Sequence, residues 1–501
     1  MKRTKNLLSL VLTVCLAQVV FAQAFEVLHS FNGSDGLAPE ARLIQGMDGD
    51  IYGTTAFGGL PNGCPDQFGC GVIFKIDTAG NYTVLHLMSP LEGGFLRGLV
   101  QTPDGLLYGV ASRFGTGSPT GCGFANTCGT LFRIDTAGNF TLLHNFGTTD
   151  GLYPTGGLLL GRDGFFYGTT YSSIYRADTA GNVTTLHTFD GREGFGLNGP
   201  LVEDDLGNFY GTASLGGFSG CNLPPDFDNT CGTVFKMDPA RNVTVLQFFG
   251  ASYFGAGEFK PAGELIRGTD GFLYGTTQGG SFLSKGGATF RIDTNGNYST
   301  LHSFYTAGYG PEGWRSEAGL LQASNGVLYG TNSLDGLPVN SSNVKGTVFR
   351  MNANGAVDVL RTFTGSDGAT PYGSLLQGND GNLYGTTVFG GANNKGTIFR
   401  LNPTAQPIIA SFTFSPNPVP PGGKTTGKVT LSGPAPPGGL IVDLSNTNAA
   451  LVTVKAFVTV RAGAKRVTFV GKASTIFTGS VKLWASGKDG AGPVVTLTVG
   501  P

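Results

Sequence analysis

The chain has 501 residues, of which 13% are charged, and a formal net charge of −1. If residues 1–24 are removed as an export signal, the 32 basic residues lose three and leave 29 against 33 acids, a balance of −4. This near balance argues against nucleic-acid binding, which needs a basic stripe. The 83 glycines fall at repeated turn positions, which indicates β architecture and not disorder.

Residues 1–24 have the pattern of a secretion signal. Lys2, Arg3 and Lys5 precede an apolar run, and Ala22-Gln23-Ala24 is a small-x-small cleavage site. The apolar run is about 15 residues long, short of the ~20 that a spanning helix needs. Val14 before Cys15 is too large for a lipoprotein processing site. We therefore expect an exported protein without a transmembrane segment in the mature chain.

Three signatures recur seven times each at a period of roughly 55 residues. The first is a Tyr-Gly pair after an Asp-Gly-type turn, with tyrosines 52, 108, 167, 210, 274, 329 and 384. The second is a Gly-x-x-aromatic-Arg/Lys strand, with aromatics at 74, 132, 175, 235, 290, 349 and 399. The third is Val-Leu-His-x-Phe, ending at 31, 87, 146, 189, 249, 304 and 363. Several short strands per repeat at this period predict a propeller and not a solenoid.

Each repeat divides into four predicted strands, named A to D in chain order. Asp380-Gly381 between strands A and B of the last repeat predicts a two-residue type I′ hairpin turn. The chain after the signal opens with a lone strand D, Phe25 to Phe31, and the last repeat lacks its own strand D. The fold class predicted is therefore all-β: a seven-bladed β-propeller of four-stranded blades over 25–403, with the N-terminal strand closing the last blade. Such closure removes open strand edges.

The six cysteines after the signal form three close pairs, each inside the B–C loop of one repeat. The pairs are Cys64/Cys70, Cys122/Cys128 and Cys221/Cys231. An even count and pairwise proximity in an exported chain predict three local disulfides. No histidine lies near any pair in the sequence, so a zinc site is not expected. We predict no metal site and no cofactor.

Residues 404–501 differ in composition from the repeats. A proline-rich linker leads into simply alternating strands, about seven of them, which predict an immunoglobulin-like β-sandwich. This region has nine Lys/Arg against Asp443 and Asp489, a net charge of +7, whereas 25–403 has 20 against 31, or −11. Three interpretations stay open: the opposite charges dock the two domains on each other, the basic domain contacts an anionic envelope polymer, or it carries an ordinary solvated surface.

All five histidines, 29, 86, 144, 187 and 302, occupy one position of strand D. Because strand D is outermost in its blade, these side chains are predicted to lie far apart on the rim, each hydrogen-bonded locally within its blade. A shared metal or acid–base site is not expected from them. The repeated Arg/Lys of strand C and the Asp-Gly pairs are likewise interpreted as structural and turn residues.

The segments DGNLYGTT (380–387), GTIFR (396–400) and VLHSF (27–31) together resemble the Gloeo/Verruco-type tandem repeat of secreted bacterial proteins. The resemblance covers 25–402, because all three signatures recur in the same order. It implies a secreted or surface-displayed propeller protein and no particular activity. More weakly, 404–501 resembles the bacterial immunoglobulin-like modules that are appended to such proteins.

Function is expected where the repeats differ, on the face that carries the D–A and B–C loops. The candidate ligand-binding residues are the loop aromatics Tyr153, Phe195, Tyr253, Phe254, Tyr305, Tyr309, Trp314 and Tyr372. Such aromatics suit stacking on sugar rings or packing against a partner protein, or they cover the ring's own surface. The main hypothesis is a non-catalytic binding or scaffold protein for an extracellular glycan or protein.

Two alternatives stay open. A polysaccharide lyase or glycoside hydrolase at the channel mouth would use carboxylates such as Glu92, Glu193, Glu258, Glu312 or Glu317, of which no two are singled out by spacing. No catalytic residue is therefore assigned. A purely structural cell-envelope protein is the other alternative.

Overall fold

A computed structural model describes residues 25–60, 64, 68–116, 128–217, 232–250, 258–261, 263–280, 285–305, 312–334, 345–352, 355–403, 409–431, 440–461, 464–487 and 494–500. Within these ranges the chain is all-β, with 37 strands and no helix. A helix long and apolar enough to cross a membrane is accordingly absent from the described part. The predicted signal, 1–24, lies outside it.

Seven antiparallel sheets form between residues 25 and 401, and they have the form of propeller blades. The sheets are numbered 1 to 7 in chain order, and the first strand, β1 (Phe25–Ser30), belongs to sheet 7. Sheet 1 contains β2 (Ile44–Gln45), β3 (Ile51–Thr54), β4 (Val72–Ile76) and β5 (Tyr82–Leu87). Sheet 2 contains β6 (Gly94–Gln101), β7 (Leu107–Arg113), β8 (Thr130–Ile134) and β9 (Phe140–Asn145). Sheet 3 contains β10 (Leu159–Leu160), β11 (Phe166–Thr169), β12 (Ser173–Ala177) and β13 (Val183–Thr188). Sheet 4 contains β14 (Val202–Glu203), β15 (Phe209–Ala213), β16 (Thr233–Met237) and β17 (Val243–Phe248).

The remaining three repeat sheets follow the same order. Sheet 5 has five strands, β18 (Glu258–Pro261), β19 (Ile266–Arg267), β20 (Leu273–Gly280), β21 (Lys285–Ile292) and β22 (Tyr298–Tyr305). Sheet 6 contains β23 (Leu321–Gln322), β24 (Leu328–Asn332), β25 (Thr347–Met351) and β26 (Val357–Thr362). Sheet 7 contains β27 (Leu376–Gln377), β28 (Leu383–Thr387), β29 (Thr397–Leu401) and β1.

The pairing of β1 confirms the predicted closure. β1 runs antiparallel to β29, with Phe25 opposite Leu401 and Ser30 opposite Thr397. It therefore takes the strand D position of the last sheet, and the first strand of the described chain is held by the last strand of the repeats. A strand edge that would otherwise be open is paired.

Buried clusters join each repeat sheet to the next. One of them connects sheet 7 back to sheet 1, with Phe31 and Ile398 packed against Ile51 and Phe74, all fully buried. Six others join sheets 1 to 2, 2 to 3, 3 to 4, 4 to 5, 5 to 6 and 6 to 7. Because the clusters run from the first sheet to the last and back, the apolar core lies between the sheets.

The Tyr-Gly and Gly-x-x-aromatic signatures have a common cause. Gly53 pairs with Phe74 on the neighbouring strand, and a Cβ on that glycine would lie 2.4 Å from the phenylalanine ring. The absence of a side chain at this glycine therefore leaves room for the aromatic ring of strand C to pack against it. The preceding tyrosine is buried, and its hydroxyl donates to the turn aspartate, as Tyr52 does to Asp48 at 2.6 Å.

The predicted type I′ turn between strands A and B is wrong. In the last repeat only Gly381 is left-handed (φ 79°), and the loop is closed by the Gly378 amide donating to the Asn382 carbonyl. Asp380 keeps an ordinary negative φ because its carboxylate accepts from the Asn382 amide and the Tyr384 hydroxyl, at 3.0 and 2.7 Å. These side-chain bonds favour a longer turn over the two-residue hairpin.

Hydrogen bonds link neighbouring sheets at most of the A–B turns. A turn amide of one sheet donates to the side chain that ends strand A of the next, as the Asn379 amide does to Gln45 at 2.8 Å, from sheet 7 to sheet 1. Four further bonds repeat this contact, at Met47–Gln101, Arg162–Glu203, Thr269–Gln322 and Ser324–Gln377. Between sheets 4 and 5 an Asp205–Arg267 ion pair of 2.8 Å takes its place.

Two further four-stranded sheets lie after residue 408. One contains β30 (Ile409–Ser415), β31 (Lys424–Leu431), β33 (Val452–Thr453) and β35 (Arg466–Ala473). The other contains β32 (Leu440–Asn446), β34 (Phe457–Val460), β36 (Gly479–Gly487) and β37 (Val494–Val499). They enclose a core of their own, with Val429, Val442 and Leu483 fully buried.

One predicted disulfide is present in the described chain. Cys64 and Cys70 are bonded with a Cα–Cα distance of 5.5 Å, and both are buried. Cys128 is also buried, whereas Cys122, Cys221 and Cys231 lie outside the described residues. The other two pairings stay predictions.

Candidate functional site

A cavity of about 770 Å³ lies at the inner ends of the repeat sheets. All seven repeats line it, with residues of strand A or with residues just before that strand. The volume falls in the range of small-molecule sites. We call its D–A loop end the mouth, lined by Glu40, Arg97, Thr155, Asn198, Glu317 and Tyr372.

The mouth residues differ from repeat to repeat although the backbone positions are equivalent. Glu40 stands three residues before a buried strand A leucine, Leu43. Thr155, Asn198, Glu317 and Tyr372 precede Leu158, Leu201, Leu320 and Leu375 by the same three residues. The mouth is thus where the repeats place different chemistry at one structural position.

Sheet 2 presents an arginine because its strand A is irregular. The register of β6 against β7 shifts between Leu96 and Leu99, and Gly98 within the shift is left-handed (φ 104°). Arg97 lies in this bulge. Bulges re-aim side chains, and here the arginine lines the cavity.

Fixed neighbours hold Arg97 in place. Its Nε donates to the Ser112 hydroxyl at 2.8 Å, and that hydroxyl donates to the Pro154 carbonyl at 2.8 Å. The guanidinium carbon lies 4.4 Å from the Phe95 ring centroid, and that of Arg113 lies 4.9 Å from the same centroid. Burial lowers the pKa of Arg97, and Glu40 opposes that change, but an arginine remains charged at neutral pH.

Glu40 faces these arginines without forming an ion pair with either. Burial raises the pKa of the Glu40 carboxyl, while Arg97 and Arg113 lower it and Glu317 raises it further. No hydrogen bond or ion pair joins Glu40 to another described residue. Carboxylate and guanidinium therefore interact across open space in the cavity.

Glu317, by contrast, is surrounded by donors on the other side of the mouth. Gln278 donates to its Oε2, and Arg315 Nε forms an ion pair with Oε1 at 2.5 Å that lacks hydrogen-bond geometry. Burial raises the pKa of the Glu317 carboxyl, whereas Arg315, the Tyr372 hydroxyl and Lys260 lower it. Burial, followed by the Glu317 charge, also raises the pKa of Tyr372.

An ion pair crosses the cavity beyond the mouth. Arg42 of sheet 1 lies 3.4 Å (Nη1 to Oε1) from Glu264 of sheet 5, a sheet that is not its neighbour in sequence. Arg42 follows Glu40 by two residues toward the A–B turns, so the pair lies further along the cavity than the mouth. At the turn end, Asp205 binds Arg162 and Arg267 at 2.5 and 2.8 Å, which lowers the pKa of Asp205 to about 2.

The family of the chain follows from a comparison with known repeats. The model of the Gloeobacter/Verrucomicrobia repeat matches three overlapping segments, 16–174, 123–336 and 223–440. The chain belongs to the Gloeobacter/Verrucomicrobia repeat family. This confirms the resemblance drawn from the three signatures.

Solved structures similar to this repeat-family chain are distant. A gluconolactonase from Xanthomonas campestris is 12% identical, with 75% of this chain and 89% of the other covered and a TM-score of 0.37. A luciferin-regenerating enzyme is 13% identical over 62% and 91%, with a TM-score of 0.39. A hypothetical selenium-binding protein from Sulfolobus tokodaii is 13% identical over 60% and 76%, with a TM-score of 0.40. No curated protein matches.

Of the predicted loop aromatics whose side chains the structure describes, only one lines the cavity of this Gloeobacter/Verrucomicrobia repeat protein. Tyr372 does so, whereas Tyr153, Phe195 and Trp314 are half-buried residues that do not. Phe195 and Trp314 form backbone bridges to Leu215 and Leu334, which extend their sheets. Tyr253, Phe254 and Tyr309 lie outside the described residues, as does the side chain of Tyr305.

The histidines are separate, as predicted, but their contacts extend beyond one sheet. The Nε2 of His29, His86, His144, His187 and His302 lies at a carboxylate of the following loop, those of Asp35, Glu92, Asp150, Glu193 and Glu312. His29 also stacks on Tyr82 of sheet 1, with ring centroids 3.9 Å apart. Arg361, which replaces the histidine in sheet 6, binds Asp367 in the same way.

These pairs change the roles of the candidate acids. Glu92, Glu193 and Glu312 each form an ion pair with a histidine. Among the candidate acids whose side chains are described, Glu317 alone lines the mouth. The side chain of Glu258 is not described. Sequence reasoning missed Glu40, Arg97 and Glu264. The available signal was a charged residue one to three positions before a repeated leucine (Leu43, Leu99 or Leu265), where most other repeats have an uncharged residue.

Proposed function

We propose that this protein is a secreted, non-catalytic binding protein whose repeats form one seven-bladed β-propeller, followed by an immunoglobulin-like sandwich. The seven sheets, the seven clusters between them and the β1–β29 pairing support the ring. The two-sheet core after residue 408 supports the sandwich. The signal pattern and the Cys64–Cys70 disulfide support an oxidising, extracytoplasmic location.

The ligand site is the mouth of the cavity, and the ligand is an extracellular glycan. The observation that carries this proposal is the convergence of Glu40, Arg97, Glu317 and Tyr372 from four different sheets on one concavity. Residues shared by all repeats build a scaffold, whereas none of these four is shared by all repeats. A few convergent polar groups in a concave pocket are the usual form of a small-molecule site.

The chemistry of the mouth suits a molecule rich in hydroxyl groups. Glu40 and Glu317 offer carboxylate acceptors, Arg97 and Gln278 offer donors, and the tyrosine hydroxyl does both. Sugar hydroxyls are donors and acceptors at once, so they satisfy both kinds of group. A protein partner would instead need a broader apolar surface at the mouth.

A glycan-array screen with the purified protein tests this function. Tyr372→Phe removes a hydroxyl from the mouth, and Glu317→Gln replaces one carboxylate acceptor oxygen by an amide donor. A lost hydrogen bond to a sugar should weaken binding about 10-fold or more in each variant. Trp314→Phe is the matched control, because Trp314 is a half-buried loop aromatic outside the cavity lining. Absence of binding to any glycan, or equal binding by all variants, would refute the proposed site.

A second candidate function is glycoside hydrolysis or polysaccharide lysis at the same mouth. It is favoured by the half-buried Glu40 and the buried Glu317. Burial raises the pKa of both carboxyls, and the Glu317 charge adds to the change at Glu40. A carboxyl with a raised pKa is suited to be a general acid. Release of reducing ends from an array-positive glycan, abolished in Glu40→Gln and Glu317→Gln, would establish catalysis. Intact glycan after prolonged incubation would exclude it.

For the C-terminal region we propose contact with an anionic envelope polymer. Lys424 and Lys472 are direct neighbours on β31 and β35, and Lys428 and Arg466 are exposed on the same two strands. Polyanion binding to such a face should weaken with salt. Co-sedimentation with an anionic polysaccharide at two salt concentrations tests it, with Lys424→Gln plus Lys472→Gln expected to reduce binding. Salt-independent binding would contradict the electrostatic contact.

A further inference from the structure

The strongest unexplained feature of the mouth is an arginine, Arg97, that forms no ion pair within the described residues. Arg97 lines the cavity, and Arg113 lies beside it on the Phe95 ring. Neither guanidinium forms an ion pair with a carboxylate of the described chain. A charge held in a concavity without an ion-pair partner costs free energy, which a ligand of opposite charge recovers.

The neighbouring carboxylate does not fill this role. Burial raises the pKa of Glu40, and the charges of Arg97 and Arg113 oppose that change. Glu40 nevertheless forms an ion pair with neither arginine. By contrast Arg315 and Glu317, two residues apart on sheet 6, lie 2.5 Å from each other. The mouth therefore has a neutralised side at Glu317 and an open, cationic side at Arg97.

The backbone holds the open side in position. Phe95 has a left-handed conformation (φ 61°), which is unfavourable for a residue other than glycine and is kept only where the surroundings impose it. The Ser112 hydroxyl fixes Nε of Arg97, so the Nη edge of the guanidinium is left for another partner. That edge is the part that recognises a carboxylate.

We propose that the ligand of the mouth is an acidic sugar, a hexuronate, whose carboxylate binds the Arg97 guanidinium in the field of Arg113 and whose ring hydroxyls donate to Glu40. The proposal rests on the glycan-binding function above and names the class of glycan. A uronate carries both an anion and hydroxyl donors on one ring, which matches an arginine facing a carboxylate across a gap. A simple carboxylate would leave Glu40 unsatisfied, and a neutral sugar would leave Arg97 unsatisfied.

Titration calorimetry with trigalacturonate and with neutral galactotriose tests the proposal on the full-length protein. We expect trigalacturonate to bind at least 10-fold more tightly than galactotriose, and its affinity alone to fall with added salt. Arg97→Gln should reduce the trigalacturonate affinity at least 10-fold, and Arg113→Gln should reduce it less. Arg192→Gln, an exposed loop arginine outside the lining, should change neither affinity.

Glu40→Gln separates recognition from a folding defect. It removes the negative charge that faces Arg97 but keeps an acceptor, so trigalacturonate should bind more tightly than to the wild type. A damaged fold cannot produce tighter binding. Weaker trigalacturonate binding in Glu40→Gln, in a variant that melts as the wild type does, would overturn the assignment of the carboxylate to Arg97.

Two outcomes distinguish failure of this proposal from failure of the glycan-binding function. If both oligomers bind equally and Arg97→Gln changes neither, the uronate assignment is wrong and glycan binding stands. If neither oligomer binds while the array finds a different glycan that Glu317→Gln weakens, the assignment is again wrong and the site stands. A galacturonate monomer arm identifies the source: equal affinity for monomer and trimer indicates a free uronate, and tighter trimer binding indicates a polymer chain.

Discussion

The outer rim and the mouth of the cavity use charged residues in opposite ways. On the rim, one histidine or arginine position of strand D is paired with a carboxylate of the following loop in six sheets, with the loop position six residues on in five of them. At the mouth, equivalent positions carry glutamate, threonine, asparagine and tyrosine, each with different partners. The same pair therefore recurs around the rim, whereas at the mouth only glutamate recurs, as Glu40 and Glu317, and those two have different partners.

The difference separates residues that stabilise the ring from residues that contact a ligand. A repeated pair satisfies its own charges locally, so it adds stability in proportion to the number of repeats. Arg97, by contrast, forms no ion pair with a carboxylate of the described chain, so its charge adds little stability. Substitutions in the scaffold should therefore lower stability, whereas those at the mouth should alter binding and leave stability equal or higher.

The largest expected effect lies in the scaffold, at the seam where the first and last sheets meet. Phe31 is fully buried between sheets 7 and 1, so Phe31→Ala should lower the free energy of unfolding by about 3–5 kcal/mol. Chemical denaturation measures the change. Phe68→Ala, at an exposed phenylalanine, is the control and should cost less than about 0.5 kcal/mol. Equal losses in both variants would show that the seam does not hold the ring.

A smaller loss is expected in the B–C loop of the first repeat, which is neither shared by all repeats nor part of the mouth. Replacing Cys64 and Cys70 together by serine opens a short loop and should lower the free energy of unfolding by about 2 kcal/mol. Reductant should lower the melting temperature of the wild type more than that of the double variant, in which only the predicted Cys122–Cys128 and Cys221–Cys231 pairs remain to be reduced. An equal reductant effect on both proteins would show that the Cys64–Cys70 bond adds no stability.

On the rim itself, a single substitution should have little effect. His187 is half-buried and its Nε2 lies 2.8 Å from Glu193, so His187→Gln should cost about 1 kcal/mol. The chain already has Gln247 at this position in sheet 4, which shows that the repeat tolerates glutamine. Thermal melting measures the stability of the variant, and the glycan assay measures its binding, which should be unchanged. Lost glycan binding with unchanged melting would place His187 in the site instead of the scaffold.

The scaffold could be predicted from the sequence because each repeated residue has a local cause. Gly53 makes room for Phe74, and Asp380 shapes its own turn, so the same letters recur wherever the same contact recurs. The turn type was mispredicted because the tyrosine hydroxyl that binds the aspartate comes from the next strand. The loop acids opposite the histidines were also readable, at a fixed spacing of six in most repeats.

The mouth could not be predicted because its contacts form only when sheets that are distant in sequence pack together. Glu40 and Glu317 are 277 positions apart (317 minus 40), and Arg42 meets Glu264 across the cavity. No local sequence pattern relates these residues to one another. Comparing repeats for what differs at one aligned strand A position, instead of for what is shared, would have found Glu40, Glu317 and Tyr372. Arg97 would still have been obscured by the bulge that shifts its register.

The smallest expected effect has the opposite sign and lies at the mouth. Burial raises the pKa of Glu40 above its usual value of 4.5, so the folded state binds a proton more tightly than the unfolded state does. The favourable contribution of protonated Glu40 is fully present below pH 4.5 and is lost as the pH rises through the folded-state pKa. Glu40→Gln abolishes this loss, and the variant should be slightly more stable than the wild type at pH 7.

Denaturant midpoints measured from pH 4 to 8 check this sign. The two proteins should agree near pH 4, where Glu40 is protonated in the folded state, and diverge as the pH rises. Glu26→Gln is the matched control, since Glu26 pairs with Arg400 in the scaffold, and its loss should lower stability at pH 7. If Glu40→Gln were the less stable protein at neutral pH, the ionised carboxylate would be satisfied by the fold, and the open gap between Glu40 and Arg97 would not be a ligand site.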